Sequence, residues 1–81
     1  MATQEVRDYI DQVMKPHLRM FRDHDEYLIV DNIIGDFQRI MEMDEANRDR
    51  LHGAARAIET YYGNKEEIIN KIEMTLEEIY S

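Results

Sequence analysis

Between Tyr27 and Met43 the chain carries Tyr27, Leu28, Ile29, Val30, Ile33, Ile34, Phe37, Ile40, Met41 and Met43, so the apolar arc covers most of a helix. A surface helix of a globular protein buries one stripe roughly 100° wide and leaves the rest to water. This segment has to be covered from more than one side, by an efficient wrap of its own chain or by a second chain. The 81 residues read as a single helical domain spanning 1–81. A chain of that size buries only about 60% of its unfolded surface and is marginal unless stapled or oligomeric. Cysteine is absent, which excludes disulfides and thiolate metal sites. Helix packing and self-association remain, and a homo-oligomer is expected.

The pattern around that segment is helical throughout. Apolar residues recur at spacings of three and four, without the alternation a strand needs. Thr3 is placed to cap a first helix with Val6, Ile10, Val13 and Met14 on its apolar face. Pro16 removes a backbone donor and clashes with the preceding turn. It is expected to kink that helix or, as the alternative, to stand in the first turn of a second piece carrying Leu18, Met20 and Phe21. Asp23, His24, Asp25 and Glu26 form a polar turn, with an Asp to cap the apolar helix. Asp44 reads as the cap of the next helix, which carries Leu51, Ala55, Ile58 and Tyr62 and ends at Gly63. Asn64 and Glu67 make a capping box for the last helix, whose seam is Ile69, Ile72, Leu76 and Ile79. The fold class is all-α: a compact three- to four-helix bundle with a central, strongly apolar helix, completed by oligomerisation. The last two helices should run antiparallel across Gly63 and Asn64. Gly35 and Gly53 stand inside helices, where each costs roughly 1 kcal/mol relative to alanine. Gly53, Ala54 and Ala57 are expected to offer a close-approach surface, with Gly35 as a matching notch.

Charge narrows the partners. Eighteen acidic against ten basic residues give a net charge of −8, which opposes nucleic-acid phosphates and anionic membranes and favours a basic protein surface. The first residues, Met1 to Val6, hold no apolar core of a leader, and no stretch has the ~20 apolar residues of a membrane span. A cytoplasmic protein, of a cell or of an infected host, is expected.

Few residues offer chemistry. Asp44, Arg48, His52 and Arg56 are spaced by four and line one stripe of a helix. Two guanidinium groups flanking an imidazole suit a phosphate or carboxylate, with Tyr61 or Tyr62 to stack on a base. Against that, Asp44 can pair with Arg48 and Glu59 with Arg56, leaving an ordinary solvated face. His17, His24 and His52 lack the Glu-x-x-His spacing of helical metal sites, so neither metal nor cofactor is expected. Hydroxyls are confined to Thr3, Thr60, Thr75, Ser81 and the tyrosines. With no cysteine, no Gly-x-Ser-x-Gly and no glycine-rich phosphate loop, the chain is expected not to be an enzyme.

The function expected is that of a small acidic interaction protein, an adaptor or inhibitor, whose last helix presents Glu66, Glu73 and Glu77 to a basic partner. A viral antagonist of host defence is one setting that suits such a chain. The alternative is a helical oligomer that sequesters a small anion, such as a nucleotide, through Arg48, His52 and Arg56 with Tyr61 or Tyr62.

Overall fold

The computed structural model describes residues 2–24, 27–60 and 64–80, excluding the side chains of Tyr27 and Leu28. In chain order these are α1 (Gln4–Tyr9), a π-helical turn (Ile10–Met14), α2 (Lys15–Asp23), α3 (Tyr27–Met43), a 3-10 turn (Glu45–Asn47), α4 (Arg48–Glu59) and α5 (Lys65–Tyr80). Among the described residues there is no strand, and α1, the π-turn and α2 run on as one helix, so four helices make the all-α bundle.

Thr3 starts α1 as its sequence suggests, its hydroxyl accepting from the Val6 amide at 3.3 Å. The helix then passes Pro16 without ending. Pro16 stands in the first turn of α2, the second of the two expected arrangements, and the irregularity lies one turn upstream. There the Lys15 amide donates to the Ile10 carbonyl five residues back. A proline inside a regular α-helix would meet the carbonyl four residues before it and leave it without a donor. The π-turn, which holds one extra residue, opens the ladder at that place.

That extra residue also sets the register. The buried positions of this helix are Val6, Ile10, Met14, Leu18 and Phe21, spaced four, four, four and three. Successive steps of four advance about 40° each around an α-helix, so a regular helix would swing Leu18 away from Val6. With one residue taken up by the turn, the spacing becomes four, three, four, three, the pattern that keeps one face on a partner. Deleting Gln12, which is exposed within the turn, together with Pro16→Ala is expected to leave a folded helical protein, changed in stability by less than about 1 kcal/mol. Deleting the equally exposed Gln38 from α3, where no extra residue stands, should abolish cooperative unfolding. A Gln12 deletion that melts like the Gln38 deletion in circular dichroism would refute this register.

α3 packs against α1, α2 and α4, and α5 closes the ring against α4 and α2. Ile29, Ile33, Phe37 and Ile40 are buried, and Val30, Ile34, Met41 and Met43 pack half-buried against the same core. Cover from more than one side is thus supplied within the chain for Ile29, Ile33, Phe37 and Ile40, while Val30, Ile34, Met41 and Met43 keep part of their surface exposed. α5 contributes Ile68, Ile69, Ile72, Leu76 and Ile79. Its start is capped by the Asn64 side chain, which accepts from the Glu67 amide at 3.0 Å. Arg50, early in α4, meets Glu78, late in α5, at 3.3 Å, which fixes the two helices as antiparallel.

Three local expectations are corrected. Asp44 does not cap α4: the 3-10 turn intervenes, and the Asp44 carboxylate accepts from the Asn47 side-chain amide at 2.8 Å. α4 ends at Glu59, where Thr60 bonds back to the Arg56 carbonyl through both its amide and its hydroxyl. Gly63 and Tyr62, expected at that end, lie outside the described residues, as do Asp25 and Glu26 of the polar turn expected before α3. Finally, Gly35 and Gly53 are not points of close approach. A methyl group added at either would meet nothing within 4 Å, so both lie on open helix faces.

Candidate functional site

Two arrangements stand out in the described residues, one buried and one at the surface. The buried one centres on Asp36, a carboxylate 5% exposed in the middle of the α3 core face. A buried carboxylate is costly unless its oxygens are taken up. One oxygen accepts from the Tyr9 hydroxyl at 2.9 Å, and the other lies 2.6 Å from His17 Nδ1. As a carboxylate only accepts, Nδ1 carries the proton in this contact and the imidazole is held in one orientation. Tyr9 and His17 are eight residues apart, about 80° off-register on a regular α-helix; the π-turn between them reduces this to about 20° and lets both reach one carboxylate. Burial first, then the hydrogen bond to Asp36 and its charge, push the Tyr9 phenol up to about 12 from 10.0, with Arg39 acting weakly the other way. Tyr9 is therefore a proton donor at any physiological pH. Chemically the cluster positions an imidazole, but neither Asp36 nor His17 lines either of the two clefts described next.

The surface arrangement is a trough of about 550 Å³ between α2 and α5. Ile10, Leu18 and Leu76 form its floor. Lys15, Arg19 and Arg22 line the α2 side, and Glu73 and Glu77 the α5 side. Both ends are crossed by polar contacts. At one end Arg22 pairs with Glu73, and Lys65 donates to the Arg22 carbonyl at 2.7 Å. At the other the Tyr80 hydroxyl donates to Asp11 at 3.0 Å, and its ring lies between the Arg7 guanidinium at 5.3 Å and the Lys15 ammonium at 5.1 Å. Lys15 and Asp11 are 2.9 Å apart. The Lys15 hydrogen bond, then that from Tyr80, holds the Asp11 carboxyl below its ordinary range, and Asp11 in turn raises Lys15.

The residues singled out from sequence are only partly brought together. Arg48 and His52 share a second cleft, of about 450 Å³, with Gln38, Met41, Glu42 and Glu45. Arg56 is exposed but does not line it, and Tyr61 and Tyr62 lie outside the described residues. Among the described residues no ion pair joins Asp44 to Arg48 or Glu59 to Arg56. Glu66, Glu73 and Glu77 are all exposed on α5, with Glu73 already engaged by Arg22. No three His, Asp or Glu side chains converge as a metal-binding set among the described residues. Likewise, none of their helices is long and apolar enough to cross a membrane. No protein-family model, curated protein or solved structure matches this chain.

Sequence reasoning weighed His17 only as a metal ligand, passed over Asp36, and did not bring Tyr9, His17 and Asp36 together. The signal was present: Asp36 continues the series Ile29, Ile33, Asp36, Ile40, spaced four, three and four, so it falls on the core stripe itself.

Proposed function

We propose that this chain is a non-enzymatic interaction protein, an adaptor or inhibitor, that binds a basic partner through the outer face of α5. The single observation that carries the reading is that face. Glu66, Glu67, Glu73, Glu77 and Glu78 are exposed there, and Met74, 59% exposed, stands among them. An apolar, pliable side chain ringed by one sign of charge is a pattern suited to contact: methionine adapts to a partner's relief, and the charges steer encounter and select sign. Net charge of −8 extends the attraction beyond the face itself.

The test is affinity capture on the full chain, followed by binding measurements with the purified captured protein. Reversing Glu66, Glu73 and Glu77 to Lys is expected to weaken binding at least tenfold and to flatten its dependence on salt. Reversing three exposed acids elsewhere, Glu5, Asp31 and Glu59, changes net charge equally and should change affinity less than threefold. Equal losses in the two triple variants would mean that bulk charge, and not this face, drives association.

A second reading, sequestration of a small anion by Arg48, His52 and Arg56, is supported by the free ion-pairing capacity of Arg48 beside His52 in the smaller cleft. Glu42 and Glu45 in the same cleft set like charge against such a ligand. The α5 reading is therefore preferred.

A further inference from the structure

We infer that the trough between α2 and α5 seats one amphipathic helix of the partner, apolar side chains down and a basic flank against α5. The inference rests on the reading of α5 as the binding face and adds the shape of what binds. Three features select the occupant. The open stretch runs from Glu73 to Tyr80, a span of about 10 Å along α5 at the helical rise, which accommodates two apolar side chains four residues apart on a docked helix. Those side chains rest on Leu18, Leu76 and the half-buried Tyr80, with the fully buried Ile10 beneath them.

Its walls exclude simpler ligands. Of the rim charges, Lys15 is paired with Asp11 and Arg22 with Glu73, which leaves Arg19 on one wall and Glu77 on the other outside any ion pair among the described residues. An anionic amphiphile would satisfy Arg19 and be repelled by Glu77; a cationic one meets the reverse. A helix carries a different sign on each flank and satisfies both. A second copy of this chain is a poor occupant, because its large apolar residues exposed among those described are Met20 and Met74, on different helices, and supply no pair to insert.

The probe is a synthetic 16-residue helical peptide with two leucines four residues apart, Lys along one flank and Glu along the other, titrated calorimetrically into the full chain. It is expected to bind, and replacing both leucines by alanine to abolish the heat. Glu77→Lys and Arg19→Glu, both at exposed positions, should each weaken binding at least fivefold. The double variant should regain affinity within twofold, since a helix can enter the exchanged walls in the opposite direction. Failure of the peptide to bind overturns the inference, as does indifference to both rim substitutions or displacement of the peptide by decanoate alone. Reduced binding in Glu66→Lys, which lies outside the trough, with no response to Arg19→Glu would overturn the docked helix while leaving the acidic face as the binding surface. Insensitivity to Glu66, Glu73 and Glu77 reversal together would remove that face as well.

Discussion

Phe37→Ala is expected to cost roughly 3–5 kcal/mol, a large share of the stability of a small domain near the lower edge of the usual range of about 5–15 kcal/mol. Phe37 is fully buried and is the largest side chain in the centre of the bundle. It sits on the α3 face among Ile33 and Ile40, with α1, α2 and α4 packed around that helix. Truncation removes the apolar transfer term and leaves a void that three helices converge on, and interiors packed at crystal density close such voids only in part. Urea unfolding followed by circular dichroism gives the number. Met74→Ala serves as the control: its side chain is 59% exposed, and the change should stay within about 0.5 kcal/mol. A Phe37→Ala protein that loses less than about 1 kcal/mol would mean that α3 is sheltered otherwise than by this packing. The same experiment at two protein concentrations reports on self-association, because a midpoint that rises with concentration is the mark of a second chain sharing the core.

How far the sequence disclosed this structure depends on which residues carried the signal. The apolar run of α3, the Thr3 cap and the Asn64 to Glu67 pair are local patterns with one physical solution, and they stand in the structure where the pattern puts them. The covering of α3 was not local. Whether 81 residues wrap such a helix depends on how three other helices converge, and spacing along one segment carries no information on that. Gly35 and Gly53 misled for a related reason: their propensity cost is real, but which face they occupy is settled by neighbours, and both face open space. The stripe of Asp44, Arg48, His52 and Arg56 assumed one continuous α-helix, and the 3-10 turn at Glu45–Asn47 takes Asp44 off it. The π-turn was legible in part. Val6, Ile10, Met14 and Leu18 are four apolar residues spaced by four, with Pro16 inside the series, and they can share one face only if the helix is underwound between them. Of the candidate surface, the acidic positions on α5 could be read from sequence, whereas the trough could not, since its two walls come from helices at opposite ends of the chain.

The Asp36 cluster gives the other large effect. Asp36→Ala is expected to cost roughly 1–3 kcal/mol at neutral pH, because the Tyr9 hydroxyl and His17 Nδ1 both lose their acceptor at a half-buried contact between helices. Asp36→Asn keeps one oxygen for Tyr9 and should cost less than the alanine variant. Tyr9→Phe removes one neutral donor and should cost about 1 kcal/mol. If the two residues act through each other, the double variant Tyr9→Phe/Asp36→Ala will lose less than the sum of the single losses. Alkali adds an independent measure. The folded chain holds the Tyr9 proton more tightly than the unfolded chain does, up to about 12 against 10.0, so this contribution is complete below pH 10 and is lost as pH rises through 12. Wild-type thermal midpoints should therefore fall more steeply across that interval than those of Tyr9→Phe. Asp36→Ala should show an intermediate slope, since burial of the phenol persists after its acceptor is gone. Parallel alkaline profiles for wild type and Tyr9→Phe, or an Asp36→Ala protein as stable as wild type, would show that the carboxylate does not hold the π-turned helix to α3. The opposite result would make this cluster the link between the register of α1 and α2 and the trough that α2 forms with α5. The phenol, imidazole and carboxylate fix the rotation of that helix about its own axis, and the rotation decides whether Lys15, Arg19 and Arg22 face α5 at all.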